Sequence, residues 1–291
     1  MKSRVLWLQG LTCNGNSHAF LNYPYLNRFL EDFTFLSHPV LDSEFSLETV
    51  VSKVHPCDIL LIEGALADDF MRAGRSIAEI VEMYAPYVQR IVTVGTCATF
   101  GGIFKESPWK NSGGLLFFEE EKRTRFAQYA DKVVSVSGCP VHPDVLVDTL
   151  YMIRKKMRIE TDRYRRPKLF FAWTVHNGCT RNEYFEYKVD NHSFGEKEGC
   201  MFYDHGCQAP FTHGSCNKVL WNEVNSKTRS GEPCHGCTEP AFPRHNLYTT
   251  KKNMGIPQYL PFDVPKRAYL TLSGVTKAFK IPRLEKRLLD D

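Results

Sequence analysis

No run of about eighteen apolar residues occurs in this 291-residue chain, which excludes a conventional membrane-spanning helix. Excess charge of one sign is also missing. The 37 lysines and arginines stand against 33 aspartates and glutamates, leaving a formal net charge of +4. So small a surplus leaves no electrostatic footprint for nucleic acid. Internal repeats and low-complexity tracts are absent, which removes solenoids and disordered arrays. Met1-Lys2-Ser3-Arg4 runs directly into Val5-Leu6-Trp7-Leu8, with no apolar leader core, small-residue cleavage site or twin-arginine pair. The expectation is a cytoplasmic protein, reaching the inner face of a membrane only through a partner. The charged tail that includes Arg283, Lys286, Arg287, Asp290 and Asp291 agrees with that reading.

What the chain does have is cysteine. There are ten, and six of them (Cys179, Cys200, Cys207, Cys216, Cys234 and Cys237) fall in the last 113 residues. Thiols in a reducing compartment point to metal rather than to disulfides. The chain is long enough to bury a substantial core, and its 43% hydrophobic and 24% charged residues are ordinary for a globular protein.

The first 160 residues alternate between two periods. Short apolar, β-branched runs at residues 5–8, 59–62, 91–94 and 133–136 read as strands. Stretches of helical spacing lie between them, such as residues 72–87, where Ala73, Ile77, Ile80, Val81 and Tyr84 recur at three- and four-residue steps. This alternation predicts a parallel sheet with helices on both faces. Ligands of such sheets bind beyond the carboxyl ends of the strands. Cys13, Glu63, Cys97 and Cys139 each follow or end one of these runs, so four segments deliver a thiol or carboxylate to one sheet edge. Gly15, Gly95, Gly101, Gly102 and Gly138 permit the close turns that an inorganic cluster requires.

A basic stretch from Arg154 to Lys168 ends near Pro167 and marks a boundary, giving expected domains of 1–160 and 161–291. These cations read as a solvated helix end complementing the helix dipole. Residues 175–260 are rich in Gly, Pro, Asn, His and Cys, and bury too little apolar surface to offset chain entropy unaided. Metal would supply the missing cross-links. Cys234-x2-Cys237 is a two-thiolate clip with Cys216 upstream, and His176-x2-Cys179 joins Cys200 and Cys207 in a second set. On spacing alone, iron–sulfur clusters and a zinc ribbon both remain open.

Taken together, Val5-Leu6-Trp7-Leu8-Gln9-Gly10, Cys13, Glu63-Gly64-Ala65, Val94-Gly95-Thr96-Cys97-Ala98 and Gly138-Cys139-Pro140 resemble the small subunit of nickel–iron hydrogenases. His176-x2-Cys179, Gly206-Cys207-Gln208-Ala209-Pro210 and Pro233-Cys234-His235-Gly236-Cys237-Thr238-Glu239-Pro240 extend the resemblance in the family's order. It covers nearly the whole chain. Ser226-Lys227-Thr228-Arg229 looks most like the actinobacterial-type, oxygen-insensitive uptake branch. The fold implied is α/β: a flavodoxin-like doubly wound parallel sheet followed by an irregular, cluster-stapled iron–sulfur domain.

The resemblance implies that Cys13, Cys97 and Cys139 bind a proximal 4Fe–4S cluster. It also implies that Cys216, Cys234 and Cys237 hold a medial 3Fe–4S cluster, and that His176, Cys179, Cys200 and Cys207 hold a distal 4Fe–4S cluster. The nickel–iron centre would sit in a partner large catalytic subunit, within a dimer of heterodimers or a larger assembly. Electrons would leave to a quinone, a cytochrome or a redox protein. The implied activity is hydrogen oxidation, with this chain as the electron-transfer subunit.

Two departures stand out. The family usually has Cys-x2-Cys after the first strand, whereas here Asn16 takes the second position. The actinobacterial-type branch looks to use an aspartate there, which makes Asp42 the candidate fourth proximal ligand, with Glu44 and Glu63 behind it. Cys200-x6-Cys207 is also one residue longer than usual. Cys57 reads as a small buried hydrophobe. Trp7, Phe20, Phe100, Phe104 and Trp109 are candidates for an apolar partner surface, with core packing the blander account of each. The rival functions are a zinc-binding module on a flavodoxin-like domain and the iron–sulfur subunit of a quinone-linked oxidoreductase. The second rival should keep the first-half cysteines but lack the series from His176 to Cys237.

Overall fold

The computed structural model describes residues 2–248; the charged C-terminal tail lies outside them. The chain divides into two compact units. One is Met1–Ala172 with Cys237–Pro243, and the other is Trp173–Gly236 with the described residues from Arg244.

The first unit is built on strands β1 (Ser3–Gln9), β2 (Phe33–Ser37), β3 (Ile59–Glu63), β4 (Arg90–Val94) and β5 (Val133–Val136). They lie in the order β2-β1-β3-β4-β5, and every pairing is parallel. Helices α1 (Gly15–Leu21), α2 (Leu26–Asp32), α3 (Leu47–Ser52), α4 (Ile77–Tyr84), α5 (Gly95–Phe100) and α6 (Pro143–Arg154) fall between and after the strands. Four strands are those expected. β2 is not, because Leu26, Phe29, Leu30 and Phe33 keep helical spacing up to its first residue, and no glycine or proline separates it from α2.

α4 is shorter than its periodicity predicts. Residues 71–76 form a small hairpin, Met71–Arg72 with Arg75–Ser76. Ser76 then caps the helix: Glu79 N–H donates to its Oγ at 3.2 Å, while Ser76 N–H donates to Glu79 Oε2 at 2.8 Å. This reciprocal pair satisfies two backbone donors and fixes the helix start.

Strand alternation sorts the core onto two faces. Val5, Trp7, Ile59, Leu61, Val92 and Val94 pack with residues of α1, α2 and α6. Leu6, Leu8, Leu60, Ile62 and Ile91 pack with residues of α3, α4 and α5. Each fully buried Leu, Ile, Val or Phe contributes about 1.5–3 kcal/mol. Trp7, Phe20 and Phe100 are at most 2% exposed, so they are core and cannot form a partner surface; Trp109 is exposed. Cys57 packs, partly buried, against the second of these faces.

The basic stretch is largely paired. Arg154 reaches Asp32 at 2.7 Å, Arg165 reaches Asp131 at 3.7 Å, and the buried Arg166 bonds Asp162 and Glu239 at 2.7 and 3.2 Å. The second unit has little regular structure, with short helices at Asn182–Glu186 and Phe202–His205. Its core is Val175, Tyr184, Met201, Phe202 and Ala209 together with Cys200, Cys207 and Cys234. Cysteine there takes places that aliphatic side chains fill in the first unit. Among the described residues no helix is long and apolar enough to cross a membrane.

Candidate metal centres

The parallel register sets Gln9 beside Glu63, Glu63 beside Val94 and Val94 beside Val136. Their chains leave the sheet at one edge, which is where Cys13, Cys97 and Cys139 follow. Burial pushes the Cys97 thiol up to about 12, reinforced by negative charge at Cys139, Cys13 and Glu63. The three thiols and the carboxylate therefore share one electrostatic environment. A thiol placed as Cys97 is keeps its proton until a cation draws it off.

Glu63 is the hub of this edge. It is fully buried. Its Oε1 accepts the backbone N–H groups of Asn16 and Ser17, each at 3.1 Å. Its Oε2 accepts from Trp7 Nε1 at 3.0 Å, Gln9 Nε2 at 3.2 Å and the Ser17 hydroxyl. With so many donors the carboxylate holds the turn after β1.

Asn16, at the position of the missing thiolate, is also engaged. Its Oδ1 accepts the Val141 N–H at 2.9 Å, and its Nδ2 donates to the Val94 carbonyl at 3.5 Å. One amide thus ties the Cys13 segment to the Cys97 and Cys139 segments. Gly95 is the counterpart of this bridge: its φ is +89°, and a Cβ there would stand 2.5 Å from Asn16 Nδ2. Gly102 shows the same closeness, since a Cβ would lie 2.7 Å from Cys97 Sγ. The Thr96 hydroxyl accepts from the Gly138 N–H at 3.0 Å and donates to the Cys237 carbonyl.

Asp42 is exposed in the loop after β2. The N-cap of α3 is Ser46, which accepts from Thr49 N–H, so Asp42 does not perform that task. Glu44 is paired with Arg4 at 2.5 Å.

In the second unit, His176, Cys179, Cys200 and Cys207 line one cavity together with Arg181, Phe185 and Phe202. All four expected distal ligands are thus brought together. Burial pushes the Cys200 and Cys207 thiols up to about 11 each, and burial pulls His176 down, which favours the neutral imidazole that binds metal. Backbone N–H groups already point at sulfur: Arg181 N donates to Cys179 Sγ at 3.4 Å, and Cys234 N to Cys207 Sγ at 3.3 Å. Between Cys200 and Cys207 lies the helical turn Phe202–His205, closed by Gly206 at φ 68°. Arg181 was not singled out by its sequence, and only its position two residues after Cys179 could have drawn notice.

Of the remaining expected ligands, Cys216 and Cys234 belong to the second unit and Cys237 to the first. Cys234 is buried, while Cys216 is partly buried against the second unit's core. Among the described residues no three His, Cys, Asp or Glu side chains close to the distances of a single metal ion. The thiols instead gather in wider groups, and soft thiolate sets of this kind are the donors of iron–sulfur clusters.

Comparison with known proteins places the chain in a family. The C-terminal profile of the NiFe/NiFeSe hydrogenase small subunit matches residues 171–249, and the profile of the NADH ubiquinone oxidoreductase 20 Kd subunit matches residues 13–153. The periplasmic [NiFeSe] hydrogenase small subunit of Desulfomicrobium baculatum is 31% identical, over 83% of this chain and 85% of its own length. The F420 non-reducing hydrogenase II small subunit of Methanosarcina mazei is 30% identical, over 88% of this chain and 78% of its own. Among solved structures, a [NiFeSe]-hydrogenase from Dm. baculatum superposes with a TM-score of 0.73 at 28% identity, covering 86% of this chain and 100% of that one. The actinobacterial-type NiFe-hydrogenase from Ralstonia eutropha H16 gives a TM-score of 0.73 at 23% identity over 96% and 92% of the two chains, a likeness of fold.

The chain belongs to the nickel–iron hydrogenase small-subunit family. Such proteins carry iron–sulfur clusters and pair with a large catalytic subunit in a heteromeric enzyme. The match over residues 171–249 favours this family over the quinone-linked rival, which should lack the late series. One expectation is overturned. Relatives from Solidesulfovibrio fructosivorans, Nitratidesulfovibrio vulgaris and Desulfomicrobium baculatum are named periplasmic, which points away from the cytoplasm. A missing leader pattern in the first residues is therefore no guide to the compartment.

Proposed function

We propose that this chain relays electrons from hydrogen oxidation in the large subunit through three iron–sulfur stations to an external acceptor. The observation that carries the reading is the gathering of His176, Cys179, Cys200 and Cys207 around one cavity of the second unit. A second group of thiols stands at the edge of the first unit's sheet. Proximal 4Fe–4S ligation falls to Cys13, Cys97 and Cys139, and distal 4Fe–4S ligation to the four cavity residues. Cys216, Cys234 and Cys237 are assigned to a medial 3Fe–4S centre. When bound, the clusters supply reversible one-electron chemistry; the protein spaces, insulates and tunes them.

Asp42 is the proposed fourth proximal ligand, as the resemblance to the actinobacterial-type branch implies. Glu63 is saturated by five donors and Glu44 is held by Arg4. The departure at Asn16 aligns the chain with the actinobacterial-type uptake branch and with tolerance to oxygen. A hard oxygen ligand in place of sulfur should shift the proximal centre's potential and its response to oxidation.

Anaerobic purification with metal analysis tests the relay. Roughly eleven irons per chain are expected from two four-iron centres and one three-iron centre. A colourless protein, or one rich in zinc, overturns it. Asp42→Ala should alter the proximal electron paramagnetic resonance signal and leave the medial one unchanged; an unaltered proximal signal removes Asp42.

A further inference from the structure

Arg181 is 2% exposed, and its guanidinium's hydrogen bonds among the described residues go to backbone carbonyls. Nε donates to the Thr228 carbonyl at 2.6 Å, and Nη1 to the carbonyls of Glu198 and Gly199 at 3.0 and 2.8 Å. Nη2 donates to the carbonyl of Glu196. A buried cation ordinarily needs an anion, because carbonyl dipoles offset only part of the lost hydration. The Arg181 backbone N–H already meets Cys179 Sγ at 3.4 Å, and the sulfurs of Cys179 and Cys200 turn anionic only when bound metal draws off their protons. Arg181 lines the same cavity as the four proposed ligands.

We infer that Arg181 is the counter-charge of the distal centre, a fixed positive charge that raises its reduction potential. The inference rests on the distal site proposed above. Reduction adds one electron to the centre with no bond made or broken, so a cation held in a medium of low dielectric stabilises the reduced form more than the oxidised one. Arginine suits the task, since its charge persists at every relevant pH and its fork can be held by carbonyls. The four carbonyl bonds also staple residues 196–199 and Thr228 to the cysteine segment, so a merely structural role is the competing account.

The test is a potentiometric titration of the hydrogenase complex, followed by electron paramagnetic resonance and comparing Arg181→Gln with Arg181→Lys. Arg181→Gln should lower the distal midpoint potential, leaving the medial one in place. Arg181→Lys, which keeps the charge and loses the fork, should remain near the wild-type value. A distal potential unmoved in Arg181→Gln, or moved equally in both variants, overturns the inference in favour of a staple. If Arg181→Gln fails to assemble a distal centre, the lysine variant decides: a potential near wild type supports the counter-charge, and a lowered one overturns it. Wild-type complex with no distal signal at all would overturn the site assignment instead.

Discussion

The two units hold their thiols by different means. In the first unit the cysteines hang from the ends of a parallel sheet whose core is complete without them: Cys13, Cys97 and Cys139 contribute nothing to the two buried faces. In the second unit Cys200, Cys207 and Cys234 are themselves core residues, among few aliphatic side chains and very short helices. The first unit is expected to stand as a scaffold without metal, and the second to depend on metal for its order. The difference follows from apolar content, because a chain segment that buries little cannot offset the entropy of ordering its backbone.

The strongest test of this contrast is metal removal. Stripping iron anaerobically should abolish hydrogen-exchange protection across residues 173–236 while the amides of β1, β3 and β4 remain protected. Equal loss in both units, or persistence in both, breaks the comparison. Cys207→Ser should reproduce the effect in the second unit alone, since metal-ligand bonds there stand in for apolar packing.

The converse experiment strikes the sheet. Leu61→Ala, at a fully buried position of β3, should cost about 2–5 kcal/mol by thermal or denaturant unfolding of the first unit. Glu63→Gln is expected to cost less, about 1.5–3 kcal/mol for weakened bonds to a charged acceptor, and to lower proximal iron occupancy. A stable Glu63→Gln protein with full iron would show that the hub is dispensable. The smallest effect belongs to the surface. Asp68→Asn removes the 2.6 Å contact with Arg125 but leaves the Arg125–Glu82 pair, and should change stability by less than about 1 kcal/mol.

Much of the first unit was legible from residue order, because strand length, β-branching and a following cysteine are all local signals. β2 escaped because helical spacing runs from Leu26 to Phe33 without punctuation. The late thiols were legible as a set but not as geometry. That Asn16 is a bridge rather than a gap depends on Val141 and Val94, residues 125 and 78 positions away, and no local pattern encodes such partners. Glu63 was noticed as a strand-terminal carboxylate, yet its saturation by donors required the fold. Arg181 carried little signal beyond its place two residues after Cys179, because its burial and its carbonyl partners depend on the fold. The compartment was misread because the residues ahead of the first strand carry no record of it.

Thr96 has a consequence for the order of assembly. Its hydroxyl receives the Gly138 N–H and is given to the Cys237 carbonyl, a residue 141 positions further along the chain. That anchorage needs the start of α5 and the Cys237 segment to be held together. Closing so long a loop is entropically the slowest kind of contact to make. Cys237 thus belongs to the sheet-bearing unit although residues 173–236 of the other unit precede it in the chain, so its seating is tied to the folding of the sheet.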